Sequence, residues 1–257
     1  MLPEEPRLFA VRGAGEMLFA PAGEAAQPTP DSPAEQAERI GQMFGEALRR
    51  YGLEGRFITR DGRPGETVAA LSRTTDIVVL GQPEPGQERA TAHRRMAEDV
   101  LMTSGRPVLM IPFAGDFAKV GSNVLIGWSE KAEAARAAHD VMELADAGAQ
   151  FTVLTVRHRP RPVEESELLG AAMARHITRH GFAARAAETV AVASLPASFI
   201  VRPELTEADA LLNYAADITA DLLAVGCYGH SRTREMVLGG VTRDLIDHMT
   251  LPVLMSR

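Results

Sequence analysis

The chain carries a single cysteine, Cys227, a single tryptophan, Trp128, and no excess of positive charge. One cysteine cannot close a disulfide within the chain, which fits a reducing compartment. Lys and Arg number 27 against 34 Asp and Glu, giving a net charge of −7 and a pI near 5.6. That balance argues against a nucleic-acid partner, whose footprint is a basic face. No apolar run reaches the roughly 18 residues that a membrane helix needs, so no membrane partner is expected. Met1 to Arg7 contain no basic stretch leading into an apolar core. No secretory signal is expected, and a cytoplasmic location is. No Gly-x-Ser-x-Gly elbow occurs, and Ser231 beside His230 does not make a triad. No catalytic residue is assigned, and nothing in the sequence argues for an enzyme.

What is present is a globular composition, 46% hydrophobic and 24% charged over 257 residues. This suffices for a sizeable core in two ordinary domains or one large one. Segments at 8–11, 56–59, 76–80, 107–111, 123–127, 151–156, 222–225 and 251–255 read as strands, with another within 182–193. Helical patterns occupy 33–51, 64–74, 92–103, 132–147, 164–180 and 206–219, and a short one follows Gly240. Ile40, Met43, Phe44, Ala47 and Leu48 mark the inward face of the first helix, ended by Gly52. In the fourth, Ala135, Ala138, Val141, Met142 and Ala145 are expected inward. Thr206 and Asp209 have the spacing of a capping box. Residues 13–33, rich in Gly, Ala and Pro, read as a long loop, with Asp31 or Ser32 capping the helix after it. Alternating strands and helices indicate an α/β fold, parallel sheets covered by helices.

The chain repeats itself. Asp76-Ile-Val-Val-Leu-Gly81 and Asp221-Leu-Leu-Ala-Val-Gly226 lie 145 residues apart, as do Pro107-Val-Leu-Met110 and Pro252-Val-Leu-Met255. A shared offset across two strands and the helix between them predicts two copies of one unit. A bridge at 115–121 divides them into domains at 1–115 and 116–257. At this offset the counterpart of the strand at 123–127 would precede Met1, so either the first copy lacks its first strand and helix or the recorded start lies downstream of the true one.

The copies differ where chemistry would occur. In the second, the run at 222–225 ends at Gly226, Gly229 follows, and Gly239 and Gly240 precede a helix. Glycines let a backbone approach an anion, and a helix start offers unpaired N–H groups. Spacing alone is weak; the strand before and helix after give it weight. In the first copy Glu84, Arg94 and Arg95 replace Gly229, Gly239 and Gly240.

With Gly226-x-x-Gly229-x9-Gly239 and the closing Leu251-Pro-Val-Leu-Met255, the chain resembles a tandem universal stress protein, well over 123–257 and more weakly over 34–112. The resemblance implies two open, mostly parallel sheets of the adenine nucleotide alpha-hydrolase-like, Rossmann-like kind, with helices on both faces. Some members of that family bind ATP and others do not. Carried over, the phosphate contacts fall on Gly226, Gly229, Gly239, Gly240 and Val241. The adenosine side falls on Val156 and on Gly127, Trp128 and Ser129. ATP or AMP is the implied ligand, with no metal beyond nucleotide-associated Mg. Family members pair through their last strands, which here implies internal pairing of 107–111 with 252–255; a homodimer of whole chains is a further option. Two departures count against tight binding. Nucleotide-binding members carry Asp where Ser129 stands, and Ser or Thr where Gly240 stands. The alternatives are a nucleotide-free regulatory module and a slow ATPase.

Single residues have competing readings. His230, Arg232 and Arg234 suit phosphate charge or a solvated loop. Arg243 reads as a surface residue. Trp128 suits stacking on a base or covering the sheet. Cys227 is either a reactive thiol near a helix start or a small residue that fits. His176 and His180, at i and i+4, make half a metal site with no completing pair evident in the sequence.

Overall fold

Leu222-Leu-Ala-Val is apolar at every position, the pattern of a strand covered on both faces. All four residues are buried in the computed structural model, which describes residues 12–13, 16–17, 33–84, 90–157, 168–191, 206–227 and 240–257. The elements are β1 (Arg12–Gly13), β2 (Glu16–Met17), α1 (Pro33–Tyr51), α2 (Pro64–Ser72), β3 (Val78–Gly81), α3 (Ala90–Thr103) and β4 (Val108–Ile111). They continue with β5 (Asn123–Gly127), α4 (Ala132–Met142), β6 (Gln150–Arg157), α5 (Ala171–Arg179) and β7 (Ala183–Val190). Last come α6 (Glu207–Asp217), β8 (Leu222–Gly226), α7 (Gly240–His248) and β9 (Val253–Ser256).

The chain divides into two compact units, Met1–Asp76 with Glu84–Gly105, and Ile77–Pro83 with Arg106–Arg257. In the first, β1 and β2 pair antiparallel and α2 packs on α3. The second holds one seven-stranded sheet of order β3-β4-β9-β8-β5-β6-β7. Every neighbouring pair is parallel except β4 with β9. The expectation of two sheets is therefore corrected: hydrogen bonds between β4 and β9 make one sheet of what would have been two.

Alternation along the strands assigns the faces. Val124, Ile126, Phe151, Val153, Leu222, Ala224 and Leu254 form a core with Ala138 and Val141 of α4 and with Met173, Ala174 and Ile177 of α5. Gly127 faces Leu211 of α6, and α6 in turn contacts α7. Helices thus cover both faces. Full burial of a Leu or Phe side chain contributes about 1.5–3 kcal/mol, so this core is a main source of stability. At the amino ends of β5 and β8, the Asp221 carboxylate accepts three backbone hydrogen bonds, from Gly121 (3.0 Å), Ser122 (2.9 Å) and Asn123 (3.0 Å).

The offset of 145 reappears in the hydrogen bonding. Val78 pairs with Val108, and Leu223 with Val253. Val78 N–H donates to Pro107 O and Leu223 N–H to Pro252 O, both at 3.0 Å. Gln82 N–H donates to Ile111 O and Cys227 N–H to Ser256 O, both at 2.7 Å. In the antiparallel pair, Leu109 lies opposite Leu254, Val108 opposite Met255 and Met110 opposite Val253. Leu109 and Leu254 are 145 apart, so the pairing is centred on a local two-fold axis at these residues.

Other expectations shift. Residues 56–59 form no strand; the Phe57 ring packs on Phe44 and over Gly41 of α1 instead. The helix expected at 132–147 stops at Met142, because Asp146 N–H turns to the Gly121 carbonyl. Its buried face is Ala134, Ala137, Ala138 and Val141, while Ala135 is half-buried. On α1, Met43 and Ala47 are exposed rather than inward. The helix expected from 164 is present as α5 from Ala171, with 168–170 as coil and turn and 164–167 outside the described residues. The strand at 8–11 and the caps Asp31 and Ser32 also lie outside them.

Candidate functional site

From β5 the chain adds β6 and β7 on one side, then crosses back to add β8 and β9 on the other. The connections after β5 and β8 therefore leave in opposite directions, and a crevice opens outside the carboxyl ends of these neighbours. Ligands of open α/β sheets bind at such a switch point. Gly127 lies opposite Val225 of β8 and Leu154 of β6. Trp128 N–H donates to Leu154 O at 2.8 Å, carrying the chain one residue beyond β5. Gly226 ends β8, and Val156 lies near the same end of β6. Because α7 joins two parallel strands, its first residues, Gly240 and Val241, start at the carboxyl side of the sheet. The fold thus brings Gly127, Trp128, Ser129, Val156, Gly226, Gly240 and Val241 to one edge. Gly229, His230 and Gly239 lie outside the described residues, as do Arg232 and Arg234.

The glycines have different reasons to be glycine. A Cβ on Gly226 would stand 2.5 Å from Ala134 N and from the Glu133 carbonyl carbon. The first turn of α4 therefore lies directly on this position, and packing alone requires glycine there. A Cβ on Gly127 would meet Val225 Cγ1 at 3.1 Å and Leu211 Cδ2 at 3.3 Å, a tight but softer contact. Around Gly240 nothing among the described residues lies within 4 Å of a built Cβ. Packing against the described residues does not account for that glycine.

Trp128 is half-buried and packs against the core beneath α4 and α5, so covering the sheet describes it better than stacking on a base. Its Nε1 is buried with no hydrogen-bond partner among the described residues. Ser129 is exposed, and Glu130 after it has φ of 56°, in the left-handed region. Such a conformation costs a non-glycine residue about 1–2 kcal/mol and turns the chain sharply between β5 and α4. Nothing in the sequence at Glu130 signals it.

Arg157, at the end of β6, grips Glu188 through Nε (2.7 Å) and Nη2 (2.9 Å). The hydrogen bond to Glu188 raises the Arg157 pKa, burial opposes it, and the fields of Glu188 and Glu130 add to it. Leu169 N–H also donates to Glu188, at 3.3 Å. Cys227 is buried and its thiol is pushed up to about 12, by burial first, against a hydrogen bond with Thr242 and the charge of Arg257. It is a packed thiol in its neutral form, not a nucleophile.

A cavity of about 530 Å³ opens at the opposite, amino ends of β5, β6 and β7, lined by Asn123, Thr152, Arg185, Asp217 and Ile218 among others. It shares no residue with the crevice and lies away from the carboxyl edge where such sheets bind ligands. Among the described residues no group of three or more His, Cys, Asp or Glu is arranged to hold a metal, and no helix is long and apolar enough to cross a membrane.

Comparison with known proteins agrees with this fold. The model of the universal stress protein family matches residues 122–257, more than half of the chain. A universal stress protein of Synechocystis sp. is 39% identical over 49 residues, 19% of this chain and 17% of that protein. The matched stretch thus spans under one fifth of that relative. Among solved structures, a universal stress protein from Archaeoglobus fulgidus DSM 4304 superimposes with a TM-score of 0.64 at 18% identity, covering 87% of this chain and 77% of that one. A putative universal stress protein from Pseudomonas aeruginosa UCBPP-PA14 does so with a TM-score of 0.52 at 15% identity, covering 88% and 80%. At these identities the likeness is one of fold.

Proposed function

The chain belongs to the universal stress protein family, and on that premise we propose that it serves a stress response by holding an adenine nucleotide, ATP or AMP, between β5 and β8. The observation that carries the reading is the switch-point crevice, with Gly127 and Gly226 ending adjacent parallel strands and α7 starting at the same edge. In this reading the phosphates lie against the first N–H groups of α7. The adenosine lies along Gly127 to Ser129 and Val156, and Mg²⁺ accompanies the phosphates. The described rim carries Glu130, Lys131, an Arg157 paired with Glu188 and, beyond β9, Arg257, and in this reading residues 228–239 and the metal ion add to the charge that meets the phosphates. Calorimetric titration with ATP and with AMP, with and without Mg²⁺, tests the proposal. Saturable heat and a thermal shift are expected; neither at millimolar nucleotide overturns it.

The tandem arrangement is part of the proposal. The 145-residue offset, shared registers and two-fold pairing at Leu109 and Leu254 support descent from two copies of one unit. The second copy then carries the nucleotide and the first acts as its built-in partner. A cytoplasmic location follows from the same reading.

A nucleotide-free regulatory module is the second reading. The packing requirement at Gly226 and the inward Trp128 favour it, because both account for presumed ligand residues without a ligand. Nucleotide released from the natively purified protein and identified by mass spectrometry would count decisively against it.

A further inference from the structure

His139 of α4 and His176 of α5 meet across the helix pair, with Nε2 to Nε2 at 3.1 Å. Their ring centroids are 4.9 Å apart, and His180, next after α5, packs on His176 at 4.7 Å. The sequence offers only His176 and His180 as a pair; the fold supplies His139 from another helix. His139 Nδ1 lies 2.7 Å from the Ala135 carbonyl, one turn back. A carbonyl only accepts, so that nitrogen carries the His139 proton and Nε2 presents its lone pair. Arg179 Nη2 donates to His176 Nδ1 at 3.3 Å, which leaves the His176 proton on Nε2, pointing at His139. A proton thus bridges two imidazole nitrogens at the surface of the protein.

We propose that this pair is a binding site for a late first-row divalent cation, with His139 Nε2 and His176 Nε2 as ligands and water in the remaining positions. An ion about 2.0–2.1 Å from each nitrogen, with the nitrogens 3.1 Å apart, subtends an angle of about 100°. That lies between octahedral and tetrahedral geometry, so the spacing of the two nitrogens fits one ion once the rings turn to converge on it. The Ala135 carbonyl already sets the His139 tautomer in the way a backbone acceptor orients a metal-ligating histidine. On binding, the His176 proton moves to Nδ1 through solvent, and the Arg179 guanidinium swings away. Imidazole ligands with water select Cu(II), Ni(II) and Zn(II) over Mg(II) and Ca(II). Burial first, and then the charges of His139, His180 and Arg179, hold the His176 pKa below its ordinary value. The pair lies on the face of α4 and α5, built independently of any nucleotide.

Titration of the full chain with Zn(II), by calorimetry and thermal denaturation, tests this site without nucleotide. One Zn(II) per chain is expected, with a rise in Tm, because the ion ties α4 to α5 in the folded state only. His139→Ala and His176→Ala should each weaken binding by about tenfold or more, with Tm in chelator little changed because His139 is exposed and His176 half-buried. His248→Ala, whose ring lies against Asp244 O on α7, should bind as the parent does. Cu(II) bound to the parent should show EPR splitting from two nitrogens, lost in either variant. Zn(II) binding that survives both substitutions overturns the proposal, and so does no binding at millimolar Zn(II).

Discussion

Gly240→Ser asks most directly whether the crevice is a phosphate site. Gly240 is the first residue of α7, where the family resemblance implies Ser or Thr among nucleotide binders. If a phosphate sits at this helix start, a hydroxyl here donates to it. A hydrogen bond to a charged group is worth about 1.5–3 kcal/mol, or about one to two decades in affinity. Space exists for it, since nothing among the described residues lies within 4 Å of a Cβ at this position, and Gly240 is exposed. The substitution should therefore leave the fold intact.

Calorimetry with ATP on the parent, Gly240→Ser and Gly240→Ala isolates the hydroxyl. Loss of glycine alone alters stability by about 0.5–1 kcal/mol, but it alters both variants alike and does not enter an affinity measured on folded protein. The serine variant should bind ATP about 10–100-fold more tightly than the alanine variant, and the alanine variant should resemble the parent. If serine and alanine bind equally, the phosphate does not lie at the start of α7, and the reasoning that places it there fails.

Other substitutions test the frame around the crevice. Gly226→Ala should destabilise the protein by about 1–3 kcal/mol in urea denaturation without any nucleotide, because α4 must move to admit a Cβ only 2.5 Å from its backbone; unchanged stability would contradict that packing. Asp221→Ala removes the acceptor of three backbone N–H groups and should cost about 2–4 kcal/mol, read in the same assay. Native Cys227 should resist DTNB at pH 8, since burial holds its thiol neutral up to about 12. The unfolded chain ionises that thiol near its usual ~8.5 and so binds fewer protons above that pH. Stability should accordingly fall by up to about 1.4 kcal/mol per pH unit from there towards the folded value, and Cys227→Ala should flatten the slope.

The features legible in the sequence are those that a local pattern determines. Asn123–Gly127 has an apolar centre, Val124-Leu-Ile126, and it forms β5 with the expected limits. Thr206 and Asp209 have capping-box spacing, and the reciprocal bonds are present: Asp209 N–H to Thr206 Oγ1 at 3.1 Å and Thr206 N–H to Asp209 Oδ2 at 2.9 Å. Residues 56–59 have strand character, yet Phe57 finds better burial on α1 than on any neighbouring strand. Local pattern is silent on β4 and β9 sharing a ladder, a pairing that only the family resemblance implies. At the crevice, the glycine positions were legible but their reasons were not. Only the approach of α4 shows that Gly226 is required by packing, and only the open space around Gly240 shows that the described residues do not require it. The His139–His176 contact joins residues 37 apart on two helices, a juxtaposition that no spacing rule contains.

The two-fold at Leu109 and Leu254 separates what the two sequences share from what they do not. Main-chain bonds at the strand ends are alike on both sides, so the shared Asp-apolar-Gly and Pro-Val-Leu-Met stretches account for the frame. Immediately beyond the strands the side chains diverge. Cys227 puts a neutral thiol beside Thr242 in the first turn of α7. Gln82, its counterpart, is buried and uses its amide fully: Nε2 donates to Ile246 O at 2.9 Å and Asp247 O at 3.2 Å, while Oε1 accepts from Phe113 N–H at 3.2 Å. The last carbonyls of a helix lack partners within it, and Gln82 supplies partners to two in the last turn of α7. The strand that lacks a glycine loop thus secures the far end of the helix whose start borders the candidate phosphate site. Although β3 is not followed by the glycine spacing found after β8, the residue at its end supports α7 through its side chain.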